Sequence, residues 1–220
     1  MLSRAAAALL PLFGRLTVTR ETEGPFPAGS VFVANHDSTA DPALVLAALR
    51  RAGVTPVVMA TAGLWRVPVL GRALTREGHV PVHRGSARAA DALEAAAEAV
   101  RAGRHVLIYA EGGLPSRLDA ACAAPRTFRT GLARPGGRTG APLVPVRSSG
   151  GPTGWPRERA PSNSPVCSPR RCAVRVCTST SAGPCTFRRN TATGTATAHR
   201  AVGAAWQRAA RAVGEPALRG

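Results

Sequence analysis

From Ser30 onward the sequence alternates short, apolar, β-rich runs with longer stretches rich in Ala and Leu, and this rhythm restricts the fold more than any other feature. A strand-sized run followed by a helix-sized one, repeated, builds a sheet covered by helices. The expected fold class is therefore α/β: one domain with a central mixed, largely parallel sheet flanked by helices. The runs Val31–Ala34, Val57–Ala60, His79–Val82, Val106–Tyr109 and Leu143–Val146 read as strands. Helices are expected near Pro42–Ala52, Pro68–Thr75 and Ala87–Ala102. The last has the clearest punctuation, with Ser86 placed as an N-cap and Gly103 placed to end it.

After about Val146 the rhythm stops. No Leu occurs between Leu143 and Leu218, and the intervening segment is rich in Ser, Thr, Pro, Arg and Cys. It does not read as packed sheet and helix. Residues 1–146 are accordingly expected to form the core of the domain and residues 147–195 an irregular segment. Residues 196–214 are expected to form a terminal helix carrying Val202 and Trp206. Segment 147–195 also resembles a displaced reading frame: back-translated with GC-rich codons and moved by two bases, the stretch from Cys177 reads His-Val-Asp-Val-Gly-Gly, a strand-like alternation. Pro135-Gly136-Gly137 is a lesser irregularity, since it would break a helix begun near Phe128.

A chain of 220 residues with 45% hydrophobic content supports one well-buried core. The net charge of +17 would suit nucleic acid or an anionic membrane surface. Its distribution is uneven: residues 1–146 hold 17 Arg against 10 acids, and residues 147–220 hold 12 Arg against 2. The excess thus belongs mainly to the tail, which has few aromatics for base stacking, so nucleic acid is a weak expectation. Four of the five Cys (Cys167, Cys172, Cys177 and Cys185) lie in that tail, at spacings unlike zinc ribbons, and no metal site is expected. Nothing at the N-terminus forms a secretory signal with a clear cleavage site, which suggests a reduced cytosolic setting. The apolar run Ala5–Phe13 is far shorter than the roughly 20 residues that span a bilayer. It reads equally as a packed helix or a short interfacial anchor.

Four segments carry candidate chemistry. In Asn35-His36-Asp37-Ser38-Thr39-Ala40-Asp41-Pro42, a His and an Asp five apart fall in the turn between a strand and a helix, at a sheet edge where α/β proteins bind ligands. A His held by a carboxylate can take a proton from an alcohol, while Asp41 followed by Pro42 also reads as a helix start. Gly78–Arg84 reads as a short strand ending in Arg84. Val106–Arg117 opens from an apolar strand into a Gly-rich loop with Glu111, Gly112 and Arg117; glycine permits close backbone approach, and Arg pairs well with phosphate. Gly140–Val146 reads as a buried strand.

In this order and spacing, the four segments resemble the blocks of the PlsC-type family of 1-acylglycerol-3-phosphate acyltransferases. The resemblance covers about residues 25–147: Asn35–Asp41 is similar to the first block, Gly78–Arg84 to the second, Glu111–Gly112 to the start of the third and Ala141–Val146 to the fourth. Phe128–Ala133 is similar to the segment before the last block. The resemblance implies an acyltransferase that moves a fatty acyl group from acyl-CoA or acyl carrier protein to the hydroxyl of a lysophosphatidate-like acceptor in phospholipid synthesis. It implies His36 as general base, Asp41 as its orienting partner, Arg84 as phosphate contact, and Glu111 with Gly112 as pocket wall. No cofactor is implied beyond the acyl donor. Because the acceptor is a membrane lipid, peripheral association with the cytoplasmic face of the membrane is also implied. One departure stands out: the third block usually continues Glu-Gly-Thr-Arg-Ser, whereas here Leu114 takes the place of its Arg, with Arg117 three residues on as the substitute.

Two other readings compete. A hydrolase would need a nucleophile; Ser38 is near His36, but no Gly-x-Ser-x-Gly elbow is present. An inactive chain whose Arg-rich tail binds nucleic acid or anionic membrane would bind in a salt-sensitive way through residues 147–211.

Overall fold

The computed structural model describes residues 2–9, 15–20, 24–36, 41–86, 88–112, 139–149, 171–176, 185–186, 196, 199–200 and 204. Its elements in chain order are α1 (Leu2–Leu9), β1 (Arg15–Arg20), β2 (Val31–Ala34), α2 (Asp41–Arg51), β3 (Val57–Thr61), a 3-10 turn (Ala62–Arg66), α3 (Pro68–Arg76), β4 (Val80–Val82), α4 (Ala89–Arg101), β5 (Val106–Tyr109), β6 (Pro142–Ser149), β7 (Arg171–Val176) and β8 (Cys185–Thr186). The strands form one sheet in the order β1-β7-β6-β2-β5-β3-β4, with β8 also paired to β6. Pairing is parallel throughout except β6 with β7 and β6 with β8, so the sheet is mixed and largely parallel, as the sequence leads one to expect.

Strand β2 lies at the centre, between β5 and β6, and its four residues are all buried. A strand covered on both faces must be apolar at every position, which is why Val-Phe-Val-Ala does not alternate. Successive side chains still point to opposite faces. Val31 and Val33 join Val106 and Ile108 under α4, against Ala92, Ala96 and Val100. Phe32 and Ala34 join Leu107, Val144 and Val146 under α2, against Leu44, Val45, Ala48 and Leu49. Full burial of a side chain such as Phe32, Leu44 or Leu49 contributes about 1.5–3 kcal/mol. Small Ala residues on α4 and large aliphatics on α2 fill the two layers.

Helix ends follow local chemistry. Asp41 opens α2 and Arg50 and Arg51 close it, each charge favourable at its end of the helix dipole. Helix α4 starts at Ala89, two residues later than expected. Ser86 instead closes the preceding turn: its Oγ accepts the Arg88 N–H at 3.2 Å and its carbonyl accepts the Ala89 N–H at 3.0 Å. Gly103, at φ +76°, ends α4 in the left-handed conformation while its N–H donates to the Val100 carbonyl at 2.9 Å. In β4, Pro81 is exposed on the outermost strand, where a missing N–H costs no ladder bond.

Three strands lie outside the five expected from the sequence. β1, Arg-Leu-Thr-Val-Thr-Arg, forms an edge of the sheet with Leu16 and Val18 half-buried against the α2-side core. Within 147–195 the described residues are 147–149, 171–176 and 185–186: Arg171–Val176 forms β7, which pairs with β1 over six residues and with the end of β6, and Cys185–Thr186 forms β8. The reason is positional. β7 has a neighbour on each side, so the sheet rather than the local composition supplies its partners. Ala196, His199, Arg200 and Ala204 are helical; the other residues of the segment 196–214, expected as a terminal helix, lie outside the described residues. Phe128–Ala133, Pro135–Gly137 and the sequence block from Gly113 to Arg117 lie outside the described residues.

Candidate active site

Strands β2, β3, β4 and β5 all run the same way, so the chain leaves each of them at one edge of the sheet. His36 follows β2 there, Glu111 and Gly112 follow β5, and Arg84 follows β4. The Ala110 N–H donates to the Ala34 carbonyl at 3.2 Å, tying the ends of β2 and β5 together. This junction brings residues 75 positions apart into contact: the His36 N–H donates to Glu111 Oε1 at 3.3 Å.

His36 Nδ1 lies 3.4 Å from Asp41 Oδ2, with side-chain exposures of 14% and 1%. A buried carboxylate at the first turn of α2 is favoured by the helix N-terminus, so the two readings of Asp41, helix start and histidine partner, hold together. With Nδ1–H donating to Asp41, the proton-accepting nitrogen is Nε2. The Tyr109 ring packs on the imidazole with centroids 4.6 Å apart, tilted by 38°. Its hydroxyl is buried and has no hydrogen-bond partner among the described residues. Burial first, and the Asp41 charge second, push that phenol well above its ordinary range, so it stays neutral.

Gly112 sits at φ +73°, and its N–H returns to the Tyr109 carbonyl at 3.2 Å, a tight turn that a side chain would strain. Glu111 is buried at 8% exposure. Its contact with the His36 backbone makes it a brace for the histidine loop, a finer role than the pocket wall implied by the sequence. Arg84 is exposed at the same edge, but β4 is three strands from β2, about 14 Å at the usual strand spacing. The structure thus brings His36, Asp41, Glu111 and Gly112 together and leaves Arg84 at the rim; Arg117 lies outside the described residues.

Sequence reasoning passed over Tyr109, Asn35 and Arg147. Asn35 and Arg147 are both 0% exposed, and Arg147 follows Val146, the register partner of Ala34, on the strand beside β2. A signal existed for Tyr109 in its place two residues before Glu111; its contact with His36 needs the pairing of β2 with β5. A second buried histidine, His79, is structural: its Nδ1 accepts the Val58 N–H at 3.0 Å and its Nε2 lies 3.4 Å from Glu77 Oε2. Among the described residues no group of three or more His, Cys, Asp or Glu is placed to hold a metal, and no helix is long and apolar enough to cross a membrane.

No curated protein sequence matches the chain. Among solved structures it is similar to the 1-acyl-sn-glycerophosphate (LPA) acyltransferase PlsC of Thermotoga maritima, at a TM-score of 0.63 and 20% identity, over 91% of this chain and 76% of that one. At that identity the likeness speaks for the fold. A model of the acyltransferase family matches residues 15–149. That match runs from β1 to the end of β6, more than half of the sequence, and on this ground the chain belongs to the acyltransferase family.

Proposed function

We propose that the protein transfers a fatty acyl group from the thioester of acyl-CoA or acyl carrier protein to the free hydroxyl of a lysophosphatidate-like acceptor, a step of phospholipid synthesis. The observation that carries this reading is the His36–Asp41 pair at the edge where β2 and β5 end, in a chain of the acyltransferase family. Nε2 of His36 accepts the acceptor's hydroxyl proton as its oxygen attacks the thioester carbonyl. Asp41 holds the tautomer and stabilises the imidazolium that forms. As the tetrahedral intermediate collapses, a C–O bond has replaced the C–S bond, and the imidazolium returns its proton to the departing thiolate. An ester and a free thiol result, with no covalent enzyme intermediate and no cofactor beyond the acyl donor.

Arg84, exposed at the rim, suits a phosphate that must remain at a distance from the reacting hydroxyl. Arg117 belongs to the same proposal as a second phosphate contact. Glu111 braces the loop of His36, and Gly112 allows the chain to turn away beside it. The acceptor is a lipid, so the protein works as a peripheral protein at the cytoplasmic face of the membrane. The test is transfer of a labelled acyl group from each donor to lysophosphatidate, with the ester product identified by mass. A folded protein that forms no ester from either donor overturns the proposal.

A further inference from the structure

The sheet edge that carries His36 also carries the most exposed large apolar side chains among the described residues. Leu64, Val67 and Val69 are 37%, 48% and 81% exposed. They lie on the 3-10 turn and the first turn of α3, immediately after the C-terminal end of β3, which runs parallel to β5 as β5 does to β2. Water-facing apolar groups in a cluster cost solvation free energy unless something covers them.

This knuckle is held in shape. The Trp65 indole N–H donates to Thr75 Oγ1 at 3.2 Å, the Thr75 hydroxyl donates to the Gly71 carbonyl at 3.0 Å, and the Gly71 N–H donates to the Val67 carbonyl at 2.6 Å. Gly71 lies so close to the turn that a Cβ there would stand 2.4 Å from the Trp65 carbonyl oxygen. The apolar tip is therefore presented on a fixed support.

Its charge points to one kind of partner. Residues 62–76 include Arg66, Arg72 and Arg76, all exposed, and no acid. Arg72 and Arg76 share a helix face with Val69, three and seven residues on, about 4.5 Å and 10.5 Å farther from the sheet edge. Apolar groups thus lead and guanidinium groups follow, the order in which a bilayer presents acyl chains and phosphates to an approaching surface. Trp65, half-buried at the same tip, is a residue type favoured at that interface.

We propose that Leu64, Val67 and Val69, backed by Arg66, Arg72 and Arg76, dock the protein on an anionic phospholipid surface and set the mouth of the His36 site against it. The inference rests on the reading that the acceptor is a membrane lipid and adds where the membrane is met. The test is co-sedimentation with vesicles of phosphatidylcholine alone and of equal parts phosphatidylcholine and phosphatidylglycerol, using the full chain, the double variant Val67→Asp/Val69→Asp and Arg72→Glu. The double variant is expected to lose about tenfold or more in affinity for the mixed vesicles, and Arg72→Glu about tenfold on mixed vesicles with little change on neutral ones. These are exposed positions, so thermal melting should match the wild type. Variants that sediment like the wild type, or a wild type that does not sediment with mixed vesicles, overturn the inference. Acyl transfer to a short-chain monomeric acceptor separates this from the enzymatic reading: it should stay within about twofold of wild type in the double variant, while turnover on vesicle-borne acceptor falls. Tip-dependent binding without any wild-type transfer would leave the docking surface standing and remove the enzymatic reading. His36-dependent transfer with tip-independent binding would do the reverse.

Discussion

The imidazole of His36 is held on three sides: Asp41 bonds its Nδ1, Tyr109 packs against its ring, and Glu111 takes the N–H of its backbone. The first of these was legible in the sequence, because His and Asp five apart in a strand-to-helix turn are a chemistry as well as a spacing. The other two were not, since both contacts cross from β2 to β5 and arise only once those strands pair. Tyr109 offers a test of how this environment works. Its buried hydroxyl has no partner among the described residues, and an unsatisfied buried polar group costs about 1–3 kcal/mol. Tyr109→Phe should therefore match or exceed the wild type in thermal stability and keep its activity, whereas Tyr109→Leu, which removes the ring from His36, should lose activity. Melting curves and turnover measured side by side decide the matter; loss of activity in Tyr109→Phe would assign the hydroxyl a part in the reaction.

At the scale of elements, strands buried on both faces announced themselves. β2 and β5 occur at the expected residues, because a parallel strand under two helix layers must be an unbroken apolar run, and β3 and the edge strand β4 begin or end within one residue of expectation. β1 escaped because its apolar residues are only Leu16 and Val18, set among Thr and Arg, and its pairing partner lies more than 150 residues away. The junction of β3, α3 and β4 carries a pH dependence. Burial lowers the pKa of His79 from its ordinary 6.5, outweighing the opposing pull of Glu77, and burial lowers His105 as well. Below about pH 6.5 the unfolded chain takes up protons that the folded chain resists, so this stability is present above pH 6.5 and falls as pH drops through the lowered values. Denaturant titrations from pH 8 to pH 5 should show that decline, and His79→Gln should make it shallower. A slope unchanged in the variant would remove His79 from the explanation.

For the whole molecule, the sheet extends beyond the part that its sequence made legible. The Ser-, Thr- and Arg-rich composition of 147–195 points away from packed structure, yet β7 lies between β1 and β6 and connects them. Composition reports on a segment's own capacity to bury surface; it is silent about a place kept open between two other strands. Val174 lies on a strand paired on both sides, and a proline there removes a ladder N–H, so Val174→Pro should clearly lower the melting temperature. An unshifted melting curve would mean that β7 contributes nothing to the folded sheet. His36, which follows the central strand β2, is where family, fold and chemistry meet. The most direct measurement is the turnover of His36→Ala against wild type in acyl transfer to lysophosphatidate, with folding of both checked by melting. A fall of about 10²–10⁴-fold in a folded variant is the predicted result; a folded His36→Ala that transfers acyl groups as fast as the wild type would contradict it.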